Sequence, residues 1–345
     1  MIHQVKNVFI AGGTGFLGYF SALKFFETGA NVSTIALDEN INERKWFPHD
    51  INLTTGNLFD MSSDEVYALF FGKNYDTFVY ALGPDDRITP KRPAFKYFYE
   101  YLVLQCKKIC EAAKRAGVRR CIILNSYFCY FDRLKNGKLS RNHPYIKARR
   151  EQADSILELE EDGIFDVMII ELPYIFGQMP EREPIWKKVF VERFRKLPAI
   201  YFPDGGTATI HVLAVAECVV AAAYNGKSRE KYLPATENIK YREMITYMMA
   251  LAGYPKKFRK LPVCIAYLGG LYMEIRDKLC GKQSGLHLAK IMRDILSKDL
   301  YVDCEKYKIE LNYLELGFTA NHDVRFGIRE AIKRAYPDTY VNECE

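Results

Sequence analysis

The sequence predicts an α/β fold: a Rossmann-like, doubly wound parallel sheet with a smaller, mostly helical substrate lobe towards the C-terminus. Three observations predict it. An apolar run of strand length, Val8 to Ala11, meets Gly12, Gly15 and Gly18 and passes into the amphipathic pattern of Phe16 to Glu27. Strand and helix patterns then alternate to residue 126, as parallel strands joined by crossovers require. Beyond Gly177 the pattern loosens and becomes mostly helical over the last hundred residues, as in a lobe built from insertions.

The opening turn, VFIAGGTGFLG, has a separate task for each glycine. One allows the tight turn, one lets a pyrophosphate approach the backbone, and one lets the helix lie close to the strand. The amides of Gly12, Thr14, Gly15, Phe16, Leu17 and Gly18 then stand at a helix N-terminus, where a phosphate is favoured. A second apolar strand, Val32 to Leu37, ends in Asp38, about 20 residues beyond the last glycine, where a carboxylate can accept the ribose hydroxyls of an adenosine. Its charge would repel a 2′-phosphate, so NAD is expected and NADP disfavoured. Arg44 and Lys45 keep that preference moderate.

Composition narrows the class. The chain has 345 residues, about half of them hydrophobic, and a net charge of +6 without a nucleic-acid signature. Its densest basic cluster, Lys256, Lys257, Arg259 and Lys260, reads as a solvated turn or an anion patch. Nine cysteines without a CxxC pair read as reduced, buried thiols, and Cys106 and Cys110, sharing a helix face, as core. The first strand begins within a few residues of Met1, and the longest apolar segment, Leu261 to Met273, is too short to span a bilayer. A cytoplasmic protein acting on a small molecule is expected, with no metal.

Further elements follow in order. Ile51 to Thr55 is a third strand, running into GNLFD, Gly56 to Asp60. Ser62 to Phe71 is a helix, and Thr77 to Leu82 a fourth strand. Its end, Ala81, Leu82 and Gly83, is small enough for a cofactor ribose to pass. The polar loop PDDRITPKRP, with Asp85, Asp86 and Arg87, would sit at the mouth as solvated residues within reach of substrate. Ala94 to Ala116 is a long helix stopped by Gly117, and Val118 to Asn125 the fifth strand. His143 and Pro144 open a helix to Asp162, with His143 as a cap. Phe165 to Ile170 is the next strand. His211 ends an apolar strand pattern and reads as a satisfied core histidine.

The fingerprint, the passage EAAKRAGVRRCIILNS and the strand end ELPYIFG (Glu171 to Gly177) together resemble the extended short-chain dehydrogenase/reductase family. That family includes nucleotide-sugar epimerases and dehydratases and hydroxysteroid or flavonoid reductases. The resemblance implies that Asn57 and Leu58 touch the adenine and that Pro173 lines the nicotinamide pocket. It also implies that Asp204 to Asn225 returns to the sheet with another packed helix. Residues 1–177, rejoined by about 204–225, would bind the dinucleotide; 178–203 and 226–345 would form the substrate lobe. By analogy the two long helices after the fourth and fifth strands pair in a homodimer.

Carbonyl chemistry at a nicotinamide needs an acid/base, a second donor to fix the oxygen, and a cation that favours the ionised acid. Tyr145 and Arg149 share one helix face. The resemblance makes Tyr145 the acid/base, Ser126 the orienting donor and Arg149 the stand-in for the lysine of YxxxK. Arginine keeps the charge but forks its donors and cannot release a proton, so the exchange is not conservative. Glu171 stands where relatives often carry arginine, and Arg149 and Glu171 are expected to compensate each other. Leu102-Val103 replaces a common Asn-Val pair. The aromatic run Tyr127, Phe128, Tyr130, Phe131 reads as core and part of a pocket wall. Three functions follow: an NAD-dependent oxidoreductase of secondary alcohols and ketones, a nucleotide-sugar epimerase or dehydratase using NAD transiently, and a cofactor-binding regulatory protein without turnover. Tyr127 and Phe128, where dehydratases carry Asp-Glu, count against dehydration.

Overall fold

A computed structural model describes residues 4–37, 46–318 and 322–342. Six strands, β1 (Asn7–Ala11), β2 (Asn31–Ala36), β3 (Asn52–Thr55), β4 (Thr77–Tyr80), β5 (Arg120–Ser126) and β6 (Asp166–Leu172), join a two-residue edge strand, Lys231–Tyr232, in one seven-stranded sheet. The order runs from the edge strand through β6, β5, β4, β1 and β2 to β3, every pair parallel. The chain moves outward from β1 first one way and then the other, so a crevice opens between β1 and β4 at the carboxyl ends.

Alternation along the strands builds the two flanking layers. Val8 and Ile10 pack with Tyr19, Ala22 and Phe25 of the helix Phe16–Glu27 and with Ala214, Val215 and Cys218 of the helix Val212–Asn225. Phe9 and Ala11 point the other way, onto Val66 and Phe70 of the helix Ser63–Phe70, Cys106 and Ile109 of Gln105–Arg115, and Ala153 of Pro144–Leu157. Central strands buried on both faces carry continuous apolar runs, as Phe78–Tyr80 of β4 and Cys121–Leu124 of β5 do. Cys106 and Cys110 belong to this core.

Element positions follow the sequence closely, with three differences. The expected long helix from Ala94 is present, but its middle turn, Tyr99–Leu104, is a π-helix between Ala94–Phe98 and Gln105–Arg115. The helix that opens at Pro144 stops at Leu157, short of Asp162. Strand Gly206–His211 does not return to the main sheet. It pairs in parallel with Tyr174–Phe176 and Asp299–Leu300 and antiparallel with Glu237–Lys240, forming a second, mixed sheet of four strands. The following helix, Val212–Asn225, does pack on the large sheet, and the return is made by Lys231–Tyr232.

The opening turn depends on close approach. Gly12 sits at φ +93°, and a Cβ on Gly18 would lie 2.2 Å from the Gly12 carbonyl oxygen. Gly13 N–H donates to Thr34 Oγ1 at 2.8 Å, and that hydroxyl donates to the Ile10 carbonyl at 2.7 Å, tying the turn to β1 and β2. Gly18→Ala must push the helix off the strand; we expect a loss of about 1–3 kcal/mol in urea unfolding, the range for overpacking. An unchanged midpoint would contradict this reading of the turn.

Candidate active site

A cleft of about 640 Å³ lies over the carboxyl ends of β1, β4, β5 and β6. Its floor is the glycine turn, with Gly12, Thr14, Gly15, Phe16 and Leu17 on the wall; Gly18 lies behind, against Gly12. Ala36, Leu37, Asn57 and Leu58 line one end, and Ala81, Leu82 and Gly83 cross the middle. Ser126, Tyr145, Arg149 and Pro173 line the other end. An elongated groove from glycine turn to phenol suits a dinucleotide, and any Cβ at Gly12 would strike Leu82 and Ala81. Asp38, with Arg44 and Lys45, lies outside the described residues. The Asn57 side chain also closes the turn: Nδ2 donates to Asp60 and Oδ1 accepts from Phe59 N–H.

Tyr145 and Arg149 meet as their spacing predicts. Pro144 occupies the first turn of the helix Pro144–Leu157, and Arg149 Nε donates to the Tyr145 hydroxyl at 3.0 Å. Its Nη1 donates to the Leu124 carbonyl at 3.1 Å and to Gln152 Oε1 at 3.0 Å. Asn125 Nδ2 donates to the same Gln152 oxygen and to the Arg149 carbonyl. The guanidinium is buried, and each of these bonds aims its plane at the phenol. Sequence reasoning named neither Asn125 nor Gln152. Gln152 was open to discovery, three residues beyond Arg149 and seven beyond Tyr145 on the same face.

Burial pushes the Tyr145 phenol up to about 12, against the pull of Arg149, and the nearby carboxylates of Asp86 and Asp85 act with burial. Arg149 pulls in the direction the sequence reading expects, but burial outweighs it. Burial likewise raises Asp86 to about 6, with the charge of Asp85 adding to it. Asp85, Asp86 and Arg87 line the cleft and are not merely solvated; Arg87 is paired with Asp85.

Glu171 does not pair with Arg149. Its buried carboxylate accepts two bonds from Arg133, at 2.6 and 2.5 Å, from the helix Phe128–Leu134. Arg149 points instead to the phenol and the strand end, so the compensating pair of the sequence reading is replaced by Glu171 with Arg133. Leu102 is buried in the π-turn, where it fills the space in front of Gly83: a Cβ there would meet Leu102 Cδ2 at 2.6 Å. Ser126 is almost fully buried at the end of β5 and faces the cleft.

Tyr127 and Phe128 line the cleft, with Tyr174 and Trp186 stacked at 5.3 Å beyond them. Tyr127 also joins the core, its hydroxyl 2.8 Å from Thr207 Oγ1. His211 is buried and its Nδ1 accepts from Leu213 N–H, capping the next helix. His143 stands at the N-cap position without capping; its Nδ1 accepts from His287 N–H at 3.1 Å.

A family model described as the NAD dependent epimerase/dehydratase family matches residues 8–233. The chain belongs to this family. Among solved structures, gox2253 superposes with TM-score 0.73 at 20% identity, over 95% of this chain and 97% of that one. A nucleoside-diphosphate-sugar epimerase from Pseudomonas aeruginosa gives 0.71 at 15%, over 98% and 99%. UDP-glucose-4-epimerase from Stenotrophomonas maltophila, solved with NAD and formylated UDP-arabinopyranose, gives 0.67 at 15%, over 96% and 98%. No curated protein matches the sequence. The family member is an NAD-dependent enzyme of the extended short-chain dehydrogenase type, and the cleft's shape and glycine turn suit NAD. Among the described residues no helix is long and apolar enough to cross a membrane.

Two predictions follow from the phenol and its guanidinium. Arg149→Met should lower kcat/KM on the order of a hundredfold or more, as loss of an oriented donor to a developing oxyanion does. Arg149→Lys should lose less, because one ammonium replaces only part of the fork. Equal rates in all three proteins would remove Arg149 from the site's chemistry. Because the phenol titrates high, its base form is scarce at neutrality. A step that takes a proton onto the Tyr145 phenolate should climb with pH across the alkaline range, and the reverse step, which uses the protonated phenol, should stay flat there. Rates measured in both directions check the asymmetry.

Proposed function

We propose that this enzyme interconverts a secondary alcohol and a ketone on a small molecule, with NAD as partner and Tyr145 as acid/base. When bound, NAD supplies the hydride acceptor or donor. Gly12, Thr14, Gly15, Phe16 and Leu17, with Gly18 behind them, would hold its pyrophosphate; Asp38 and Asn57–Leu58 would meet the adenosine. Ala81, Leu82, Gly83 and Pro173 would flank the ribose and nicotinamide.

The observation that carries the reading is the bond from Arg149 Nε to the Tyr145 hydroxyl inside the cleft. In the oxidation direction, Tyr145 takes the proton of the substrate hydroxyl as the carbon gives up hydride. Arg149 stabilises the phenolate that begins the step, and Ser126 donates to the substrate oxygen. The proton returns by the same route in reduction. The wall beyond Ser126, made by Tyr127, Phe128, Tyr174 and Trp186, supports a substrate with an apolar or ring-shaped body. Residues 1–177 with about 204–225 would serve the dinucleotide, and 178–203 with 226–345 the substrate. A homodimer through the helices after β4 and β5 belongs to the same analogy.

A nucleotide-sugar epimerase is the second reading. Arg87 and Arg182 line the same cleft and suit a diphosphate, and the epimerases among the solved relatives supply the precedent. The test is incubation with NAD and a panel of secondary alcohols, followed by NADH absorbance. Net NADH that disappears by about a hundredfold or more in Tyr145→Phe, with NAD affinity retained, supports the first reading. Absence of net NADH together with epimerised UDP-sugar would replace it with the second. Bound NAD without turnover on either panel would leave a cofactor-binding regulatory protein.

A further inference from the structure

The apolar segment noted in the sequence becomes the helix Val263–Leu279. One side is packed tightly on the helix Leu288–Ile291. A Cβ on Gly270 would lie 2.3 Å from the Leu288 carbonyl oxygen, Ala266 is buried, and Glu274 Oε1 accepts from Ala289 N–H at 3.1 Å. Ala266, Gly270 and Glu274, four apart, therefore mark the inward face.

The opposite face carries Ile265, Leu268, Tyr272, Ile275 and Leu279, spaced three, four, three and four. Each is between 51 and 83% exposed. A single exposed leucine means little, whereas a continuous apolar stripe along the whole of a helix marks a contact surface. At 1.5 Å per residue the helix is about 25 Å long, and it lies flat on the body of the protein.

Charge decides what the stripe meets. Residues 256–282 hold seven lysines and arginines against two acids. Both acids are partly buried: Glu274 is turned inward, and Asp277 accepts from Arg276. Arg276 and Lys278 flank the stripe on its two sides, while Arg259 and Lys260 precede it and Lys282 follows. The backbone of Lys91 pairs with that of Lys282, and Arg92 N–H donates to the Gly281 carbonyl, adding two exposed cations at the C-terminal end. Two copies of this face would bring two sets of cations together. An apolar stripe between rows of basic side chains fits instead an interface of acyl chains and anionic headgroups.

We propose that the helix Val263–Leu279 docks on the surface of an anionic lipid bilayer. The five apolar side chains enter the acyl boundary, and Arg259, Lys260, Arg276, Lys278 and Lys282 meet the headgroups. The docking is peripheral and independent of how the cleft is read.

The test is flotation of the full chain with phosphatidylcholine vesicles, with and without phosphatidylglycerol. The wild-type chain should float with the anionic vesicles and not with phosphatidylcholine alone, and added salt should weaken it. Leu268→Glu with Ile275→Glu should cut the bound fraction at least about tenfold, as should Lys278→Glu with Lys282→Glu. Both variants alter exposed positions, and thermal unfolding and NAD binding should match the wild type. A wild-type chain that stays with the soluble fraction, equal binding to both vesicle types, or flotation untouched by the substitutions would overturn the proposal. So would a dimer, seen by sedimentation in the absence of lipid, that Leu268→Glu dissociates; a second copy would then be the occupant.

Discussion

The site depends on where a buried guanidinium can put its hydrogens. Arg149 has left water, and an uncompensated buried cation is far costlier than any packing gain around it. Its donors reach the Leu124 carbonyl at the end of β5, Gln152 one turn along its own helix, and the Tyr145 hydroxyl. Those bonds fix the distance between strand end and helix, and with it the place of the phenol relative to Ser126. A lysine ammonium could neutralise the phenolate, but its three donors would not brace strand and helix in one plane. The exchange of lysine for arginine thus changes what the residue does mechanically while preserving its charge.

A second adjustment accompanies it. Glu171, at the end of β6, needs a cation because it too is buried, and Arg133 reaches it with a two-pronged bond. With Glu171 satisfied by Arg133, the Arg149 fork goes to the phenol, the Leu124 carbonyl and Gln152. Leu102 belongs with these residues. The π-turn places it against Gly83, behind the cleft wall, and Phe98 of the same long helix packs edge-on to the Tyr145 ring at 5.4 Å. The departures from the family pattern thus lie on three different elements.

What could be read from the sequence was what is local. The helix Phe16–Glu27 lies where its periodicity puts it, because three glycines and a following apolar stripe leave few other conformations. Tyr145 and Arg149 meet because four residues along a helix is a distance set by backbone geometry. Pairings across the fold were not legible. Glu171 could have been matched to any of several arginines, and only the packing of the helix Phe128–Leu134 against β6 selects Arg133. Alternation in Gly206–His211 announces a strand but not its neighbours, so its sheet was misjudged. Lys231–Tyr232 is too short to carry any period, though it closes the edge of the sheet. The height of the Tyr145 titration depends on how completely the ring is enclosed, which is a property of several elements packed together.

The exposed helix and the phenol are closer mechanically than the sequence separation implies. Immediately after the helix Val263–Leu279, the chain turns through Gly285, whose carbonyl accepts the Tyr145 N–H at 2.9 Å. His287 N–H then donates to His143 at the mouth of the same helix, and Gln283 Oε1 accepts from Ala94 N–H at the start of the long helix that carries Leu102. The first turn of a helix has no internal acceptors for its amides. Here the segment that follows the exposed helix provides them, for both helices that hold the site. A Cβ on Gly285 would sit 2.6 Å from Phe98 and 3.0 Å from the Tyr145 Cβ, so the contact has no slack. A load applied to Val263–Leu279 therefore reaches the phenol through two hydrogen bonds and a glycine. The surface proposed to dock and the residue proposed as acid/base share one support.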